Sequence, residues 1–295
     1  MFPTDQAVFI TATGTPIDAN GNLIGDSFVG HLEHHLAHGI DGLLISGSMG
    51  MMPALTFDTW LESARVAART AHGRAKIMVG VGDNSVERTR QRIEALRGTP
   101  IDAVVATTPF YFMSEQDDLI HYYTMVADMS PFPLYLYDLP QITKVKTELS
   151  TMLELSKHPN IHGAKCSHNP LFVRKVADAV EDRPFEIISA QFDLIDMFLH
   201  HGLLLQLDGF FCLMPEWLAQ IKTAHAKGCF QTVTKIQRQM TDLREAFLPL
   251  GIFPAFTVAM NLLGFEGSFH PSHMRPLDKD LEPRVKQLLT DAGLV

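Results

Sequence analysis

Short apolar runs alternate with helix-period segments along most of this chain, and that alternation constrains its fold more than any other feature. The runs Val8–Thr11, Gly42–Ser46, Ile77–Val81, Ala103–Thr107, Leu134–Tyr137, Ile161–Lys165, Glu186–Ser189 and Leu207–Cys212 are strand-sized, rich in strand formers and bounded by Pro, Asn or Gly. Between them lie amphipathic segments, 26–38, 56–71, 85–96, 117–127, 148–157 and 171–180. Eight buried strands separated by helices or loops predict a (β/α)8 TIM barrel of the α/β class. A doubly wound sheet is the alternative, but it usually has fewer strands and a glycine-rich first turn, which this chain lacks. Beyond about Trp217 the pattern is helical only, with segments 232–248, 254–263 and 280–292. The expected organisation is a barrel over residues 1–220 and a helical bundle over 221–295 packed on it.

Within that pattern Lys165 stands out. It closes the run Ile161-His162-Gly163-Ala164-Lys165, and a cation at the dry end of a strand either reaches for water or uses its amine. Desolvation favours a neutral amine, which attacks a carbonyl to form a Schiff base. Tyr137 sits at the matching end of the preceding run, where a phenol can move the protons imine chemistry requires. In a barrel, catalytic groups gather at the C-terminal ends of strands, so these positions gain meaning together. The same rule draws in Gly47-Ser48-Met49-Gly50 after the second run, whose glycines and free amides suit a carboxylate. It also draws in Tyr111 in the loop after the fourth. The competing readings are a plain turn for the first and loop packing for the aromatic cluster.

Composition narrows the alternatives. A hydrophobic share of 46% supplies ample core material, and a net charge of −9 argues against a phosphate-binding surface, hence against nucleic acid. Cys166, Cys212 and Cys229 lack CxxC spacing, so reduced thiols in a cytoplasmic protein are expected. No signal-like start or membrane-length apolar stretch is visible. His31, His34, His35 and His38 share helical spacing, a metal-compatible geometry, but read as a histidine-rich surface helix with at most adventitious zinc or nickel binding. The glycine-containing segment 80–85 lacks a phosphate-loop signature and reads as a turn in which Asn84 or Ser85 caps the next helix.

The motifs Thr11-Ala12-Thr13-Gly14-Thr15-Pro16, Gly47-Ser48-Met49-Gly50, Thr108-Pro109-Phe110-Tyr111, Tyr135-Leu136-Tyr137-Asp138-Leu139-Pro140 and Gly163-Ala164-Lys165 occur in this order. In them the chain resembles the dihydrodipicolinate synthase / N-acetylneuraminate lyase family of class I pyruvate aldolases, over nearly its whole length. The resemblance implies a barrel with a C-terminal helical bundle, commonly a homotetramer built as a dimer of dimers. It implies that Lys165 condenses with pyruvate or another 2-oxo acid, that Tyr137 transfers protons, and that Ser48 links Tyr137 to a Tyr111 that reaches across a dimer interface. Ser48 and the Met49 amide, within the turn begun by Gly47, would hold the carboxylate, and Phe211 completes the expected substrate-binding set. No metal or organic cofactor is implied, because the imine is itself the electron sink.

The chain departs from that family pattern in ways that bear on substrate. Met49 and Met51 replace a second hydroxyl and a Glu in the carboxylate turn. Ile142 stands where dihydrodipicolinate synthases place an Arg for the carboxylate of aspartate semialdehyde, a contact isoleucine cannot make. Phe110 replaces a common tyrosine, Phe112-Met113-Ser114 makes the rim apolar, and Ala190-Gln191 replaces a common Gly. The expected function is a Schiff-base lyase acting on a 2-oxo acid such as a 2-keto-3-deoxy sugar acid. The alternatives are dihydrodipicolinate synthase itself and a non-catalytic paralogue that binds 2-oxo acids.

Overall fold

A computed structural model describes every residue except 1, 4 and 168. Eight parallel strands close into a barrel in chain order. They are β1 (Val8–Ala12), β2 (Gly42–Ile45), β3 (Lys76–Gly80), β4 (Ala103–Thr107), β5 (Leu134–Asp138), β6 (Ile161–Cys166), β7 (Glu186–Ser189) and β8 (Leu205–Asp208). Pairing of Val8 with Leu205 through Thr11 with Asp208 joins first strand to last, so no ladder edge is left open. Parallel strands buried on both faces read as continuous apolar runs, which is why seven of the eight lie within a residue or so of their expected places. The eighth does not. Residues 203–214 are apolar almost throughout, so periodicity fixes no register there. The strand ends at Asp208, whose carboxylate accepts the Phe210 N–H at 2.8 Å and turns the chain into a 3-10 segment, Phe210–Leu213.

The helices are α1 (Gly25–Ala37), α2 (Phe57–Ala71), α3 (Val86–Ala95), α4 (Gln116–Met129), α5 (Pro140–Thr143), α6 (Leu149–Leu155), α7 (Pro170–Ala179), α8 (Ile195–His200), α9 (Pro215–Ala226), α10 (Phe230–Phe247), α11 (Ile252–Leu262) and α12 (Glu282–Asp291). Side-chain caps start several of them. Thr56 accepts the Thr59 N–H at 3.2 Å, and Ser85, rather than Asn84, accepts that of Arg88 at 3.2 Å. The last βα unit ends in α9, which runs through position 220, so the anticipated 220/221 division falls inside a helix. Helices α10, α11 and α12 follow it, as the helical pattern predicts. No single helix among the described residues is long and apolar enough to cross a membrane.

Two hydrophobic layers form the core. Ile10, Leu44, Met78, Val105, Tyr135, Ile188 and Leu207 fill the barrel, while Phe9, Leu43, Trp60, Val79, Leu136 and their neighbours pack strands against helices. At the floor Glu186 accepts the Phe2 N–H at 3.0 Å and the Tyr135 hydroxyl. One expectation about the surface fails. His31 and His35 on α1 are fully buried, with Phe265 and Phe269 against the His31 ring. Burial pushes the His31 imidazole down to about 3 and that of His35 well below its ordinary value.

Candidate active site

The mouth of the barrel is built on strand ends, so its side chains inherit the rigidity of the sheet. Tyr137 of β5 pairs in register with Lys165 of β6, and side chains alternate across a strand, so both enter the barrel while Leu136 and Cys166 face the helices. Lys165 is only 5% exposed, and its Nζ lies 3.7 Å from the centroid of the Tyr137 ring. An amine packed on an aromatic face is held by the ring quadrupole when charged and loses little when neutral. Its Nζ donates to Ser167 Oγ at 3.4 Å. Ser167 was not among the expected site residues, although its place two residues beyond Lys165 puts it on the same side of the chain.

The Tyr137 hydroxyl lies 3.4 Å from Ser48 Oγ, which joins β5 to the turn after β2. That turn is tightly determined. Ser46 has φ of 52° and Met51 of 59°, the left-handed region that costs a non-glycine residue energy. Ser63 Oγ donates to the Trp60 carbonyl at 2.7 Å, so Ser46 Oγ, at 3.1 Å, is the donor to Ser63. A Cβ on Gly80 would stand 2.1 Å from the Ser46 carbonyl oxygen, so only glycine on β3 lets the turn lie this deep. Thr15 Oγ1 donates to the Gly50 carbonyl at 2.9 Å. Met51 and Met52 N–H groups bond back to the Ser48 and Gly47 carbonyls, while those of Ser48 and Met49 have no partner among the described bonds. Adjacent amides without a partner are the kind of donors an anion takes, and Ser48 lines the cavity described next.

A cavity of about 190 Å³ opens beside this turn. Gly47, Ser48, Thr107, Phe110, Tyr137 and Ile142 are among its lining residues, and no charged side chain is. The buried Thr107 hydroxyl has no partner among the described residues, and it joins Ser48 and Tyr137 as a polar point in the wall. Behind β8, burial raises the Asp208 carboxyl above its ordinary value; the Phe210 amide and the charge of nearby Lys165 pull it down by less.

Three expected site residues are placed differently from Lys165, Tyr137 and Ser48. Tyr111 is 77% exposed and points away from Ser48, its ring against Phe112 at 4.9 Å between centroids. Its backbone is fixed nonetheless, because Asn84 Oδ1 accepts the Phe110 and Tyr111 N–H groups at 2.8 and 2.9 Å. Within one chain it therefore takes no part in the hydroxyl relay. Phe211 corrects a second expectation: it lies beyond the end of β8, is 1% exposed, and packs on Phe9 and Phe192 in the helix-facing core instead of the cavity. The Met49 side chain turns to β8, where it packs so closely on Gly209 that an added Cβ would meet it at 2.7 Å.

Comparison with known proteins gives a consistent answer. The sequence pattern of the Dihydrodipicolinate synthetase family matches residues 6–292. The 4-hydroxy-tetrahydrodipicolinate synthase of Streptococcus pneumoniae is 27% identical over 295 aligned residues, covering 97% of this chain and 92% of that protein. Two solved structures share the fold. A monomeric dihydrodipicolinate synthase variant superposes with a TM-score of 0.90 at 19% identity, covering 98% of this chain and 97% of the other. YagE, a prophage protein of the same family from E. coli K12 determined in complex with pyruvate, gives 0.90 at 20% identity, covering 98% and 99%. This chain belongs to the dihydrodipicolinate synthetase family, a family of class I aldolases and lyases.

Proposed function

We propose that the chain is a Schiff-base lyase acting on pyruvate or another 2-oxo acid, with 2-keto-3-deoxy sugar acids as the substrate class. The observation that carries this reading is the buried Lys165 amine packed 3.7 Å from the Tyr137 ring, whose hydroxyl reaches Ser48. In this scheme the Lys165 nitrogen adds to the ketone carbon and water leaves, giving an imine. Cleavage of the bond between the carbons α and β to the iminium carbon turns its electron pair into the double bond of an enamine, with the C=N pair moving onto the nitrogen. Tyr137 takes the proton released by the fragment's hydroxyl and passes protons through Ser48. The substrate carboxylate sits on the Ser48 and Met49 amides, at the entry to the turn begun by Gly47.

Condensation of pyruvate with aspartate semialdehyde is the second reading, supported by the name of the Streptococcus pneumoniae relative. Ile142, 59% exposed and in the cavity wall, speaks against it, because its side chain has no donor for a second carboxylate. A non-catalytic 2-oxo-acid binder fits Met49 and Met51 but gives the lysine–phenol–serine arrangement no task. We further propose a homotetramer, since Tyr111, Phe112 and Met113 are 77, 74 and 76% exposed, an apolar tip that a lone chain leaves in water.

Borohydride reduction in the presence of pyruvate, followed by peptide mass mapping, tests the chemistry. The expected result is a reduced adduct on Lys165 and nowhere else. Folded protein that traps none of several 2-oxo acids supports the binder instead. Efficient turnover of aspartate semialdehyde, against poor turnover of keto-deoxy sugar acids, overturns the substrate class.

A further inference from the structure

We propose that His34, His38 and Glu216 form a binding site for a divalent cation of the zinc class in the outer helical layer, bridging α1 and α9. His34 lies in the last turn of α1, His38 four residues on caps its C-terminus, and Glu216 lies in the first turn of α9. Their Nε2 atoms lie 3.5 and 3.3 Å from the same oxygen, Oε1 of Glu216. The three ligand atoms all fall within 4.8 Å of one another. A tetrahedral zinc site with bonds of about 2.0–2.1 Å to nitrogen and oxygen has edges of about 3.3 Å, so both measured edges fit one ion with little adjustment.

The outer sphere is also in place. His38 Nδ1 is 2.7 Å from the His34 carbonyl, which obliges that nitrogen to donate and turns the Nε2 lone pair of the neutral ring toward Glu216. A lone pair facing a carboxylate oxygen at 3.3 Å is repulsive; a proton on the ring or a metal ion between the two relieves it, and the metal ion does so without charging the ring. Two imidazoles converging on one oxygen are satisfied together by a single metal ion. Side-chain exposures of 26, 31 and 39% let an aqueous ion enter and let water complete the coordination. The position has mechanical meaning, because α1 follows β1 and α9 follows β8, the strands whose pairing closes the barrel. A bound ion would pin that seam from outside.

The test uses the untagged full chain titrated with Co2+ and then Zn2+. One equivalent of Co2+ is expected to give the visible d–d bands of a tetrahedral site without thiolate-to-cobalt charge transfer, and Zn2+ to displace it. His38→Ala and Glu216→Gln should each weaken binding by more than about 100-fold, the upper end of the loss seen when even an outer-sphere partner is removed. Their metal-free circular dichroism and Tm should match the parent, and Zn2+ should raise the Tm of the parent alone. Absence of the tetrahedral bands, or undiminished affinity in both variants, overturns the proposal. So does a charge-transfer band lost in Cys212→Ser, which would move the ion to the buried His31, His35 and Cys212 group.

Discussion

The turns after β2 and β4 lie on the same rim and are built in opposite ways. The first is sunk into the barrel, with Ser46 and Met51 held at positive φ, the Ser46 hydroxyl bonded to Ser63 and the Ser46 carbonyl pressed over Gly80. The second is anchored only at its root, by Asn84 Oδ1, and lifts Tyr111, Phe112 and Met113 into solvent. Strain kept in one turn suits the ligand role proposed for it, because only a rigid backbone holds two amides and a hydroxyl in place. Apolar surface kept on the other suits the partner subunit proposed above. On that proposal the difference separates what one copy of this protein does alone from what it does with another.

Three substitutions test that separation, the largest effect first. Tyr137→Phe removes the hydroxyl that meets the β2 turn and should lower kcat by roughly 10²–10⁴-fold, the range for a lost acid–base group. Stopped-flow imine formation and steady-state kinetics would show it, and an unchanged kcat would detach the turn from the chemistry. Next comes Gly80→Ala, whose new methyl must displace the Ser46 carbonyl. A loss of about 1–3 kcal/mol in denaturant unfolding is expected, together with weaker pyruvate binding. A variant as stable as the parent would mean that the turn is less constrained than its packing requires. Smallest in folding energy is the pair Phe112→Ser and Met113→Ser, which should change stability by less than about 0.5 kcal/mol. Its readout is sedimentation, where the parent should be an oligomer and the variant a smaller species. Equal masses for the two would remove the reason given for the exposed tip.

The barrel was legible from sequence because a strand covered on both faces must be apolar at every position, and seven such runs stand between polar segments. The eighth failed where the apolar stretch 203–214 outran the strand, since the cue that stops β8 is one carboxylate accepting one amide. Lys165 and Tyr137 were readable for a related reason: on a strand, side-chain direction follows from position alone. Loop residues carry no such rule. Met49 turns toward Gly209, Tyr111 toward solvent, and Phe211 into the helical core, each decided by neighbours distant in sequence. The buried side of α1 was misread because histidine is seldom fully buried, and the partners of the His31 ring, Phe265 and Phe269, lie more than two hundred positions away.

Glu186 gathers the Phe2 amide and the Tyr135 hydroxyl beneath the apolar packing of the barrel and stoppers its floor. On the chemistry proposed for Lys165, traffic is then sequential: a departing fragment has to clear the mouth before the next reactant comes in. The width of that mouth would set how large a second reactant the protein admits.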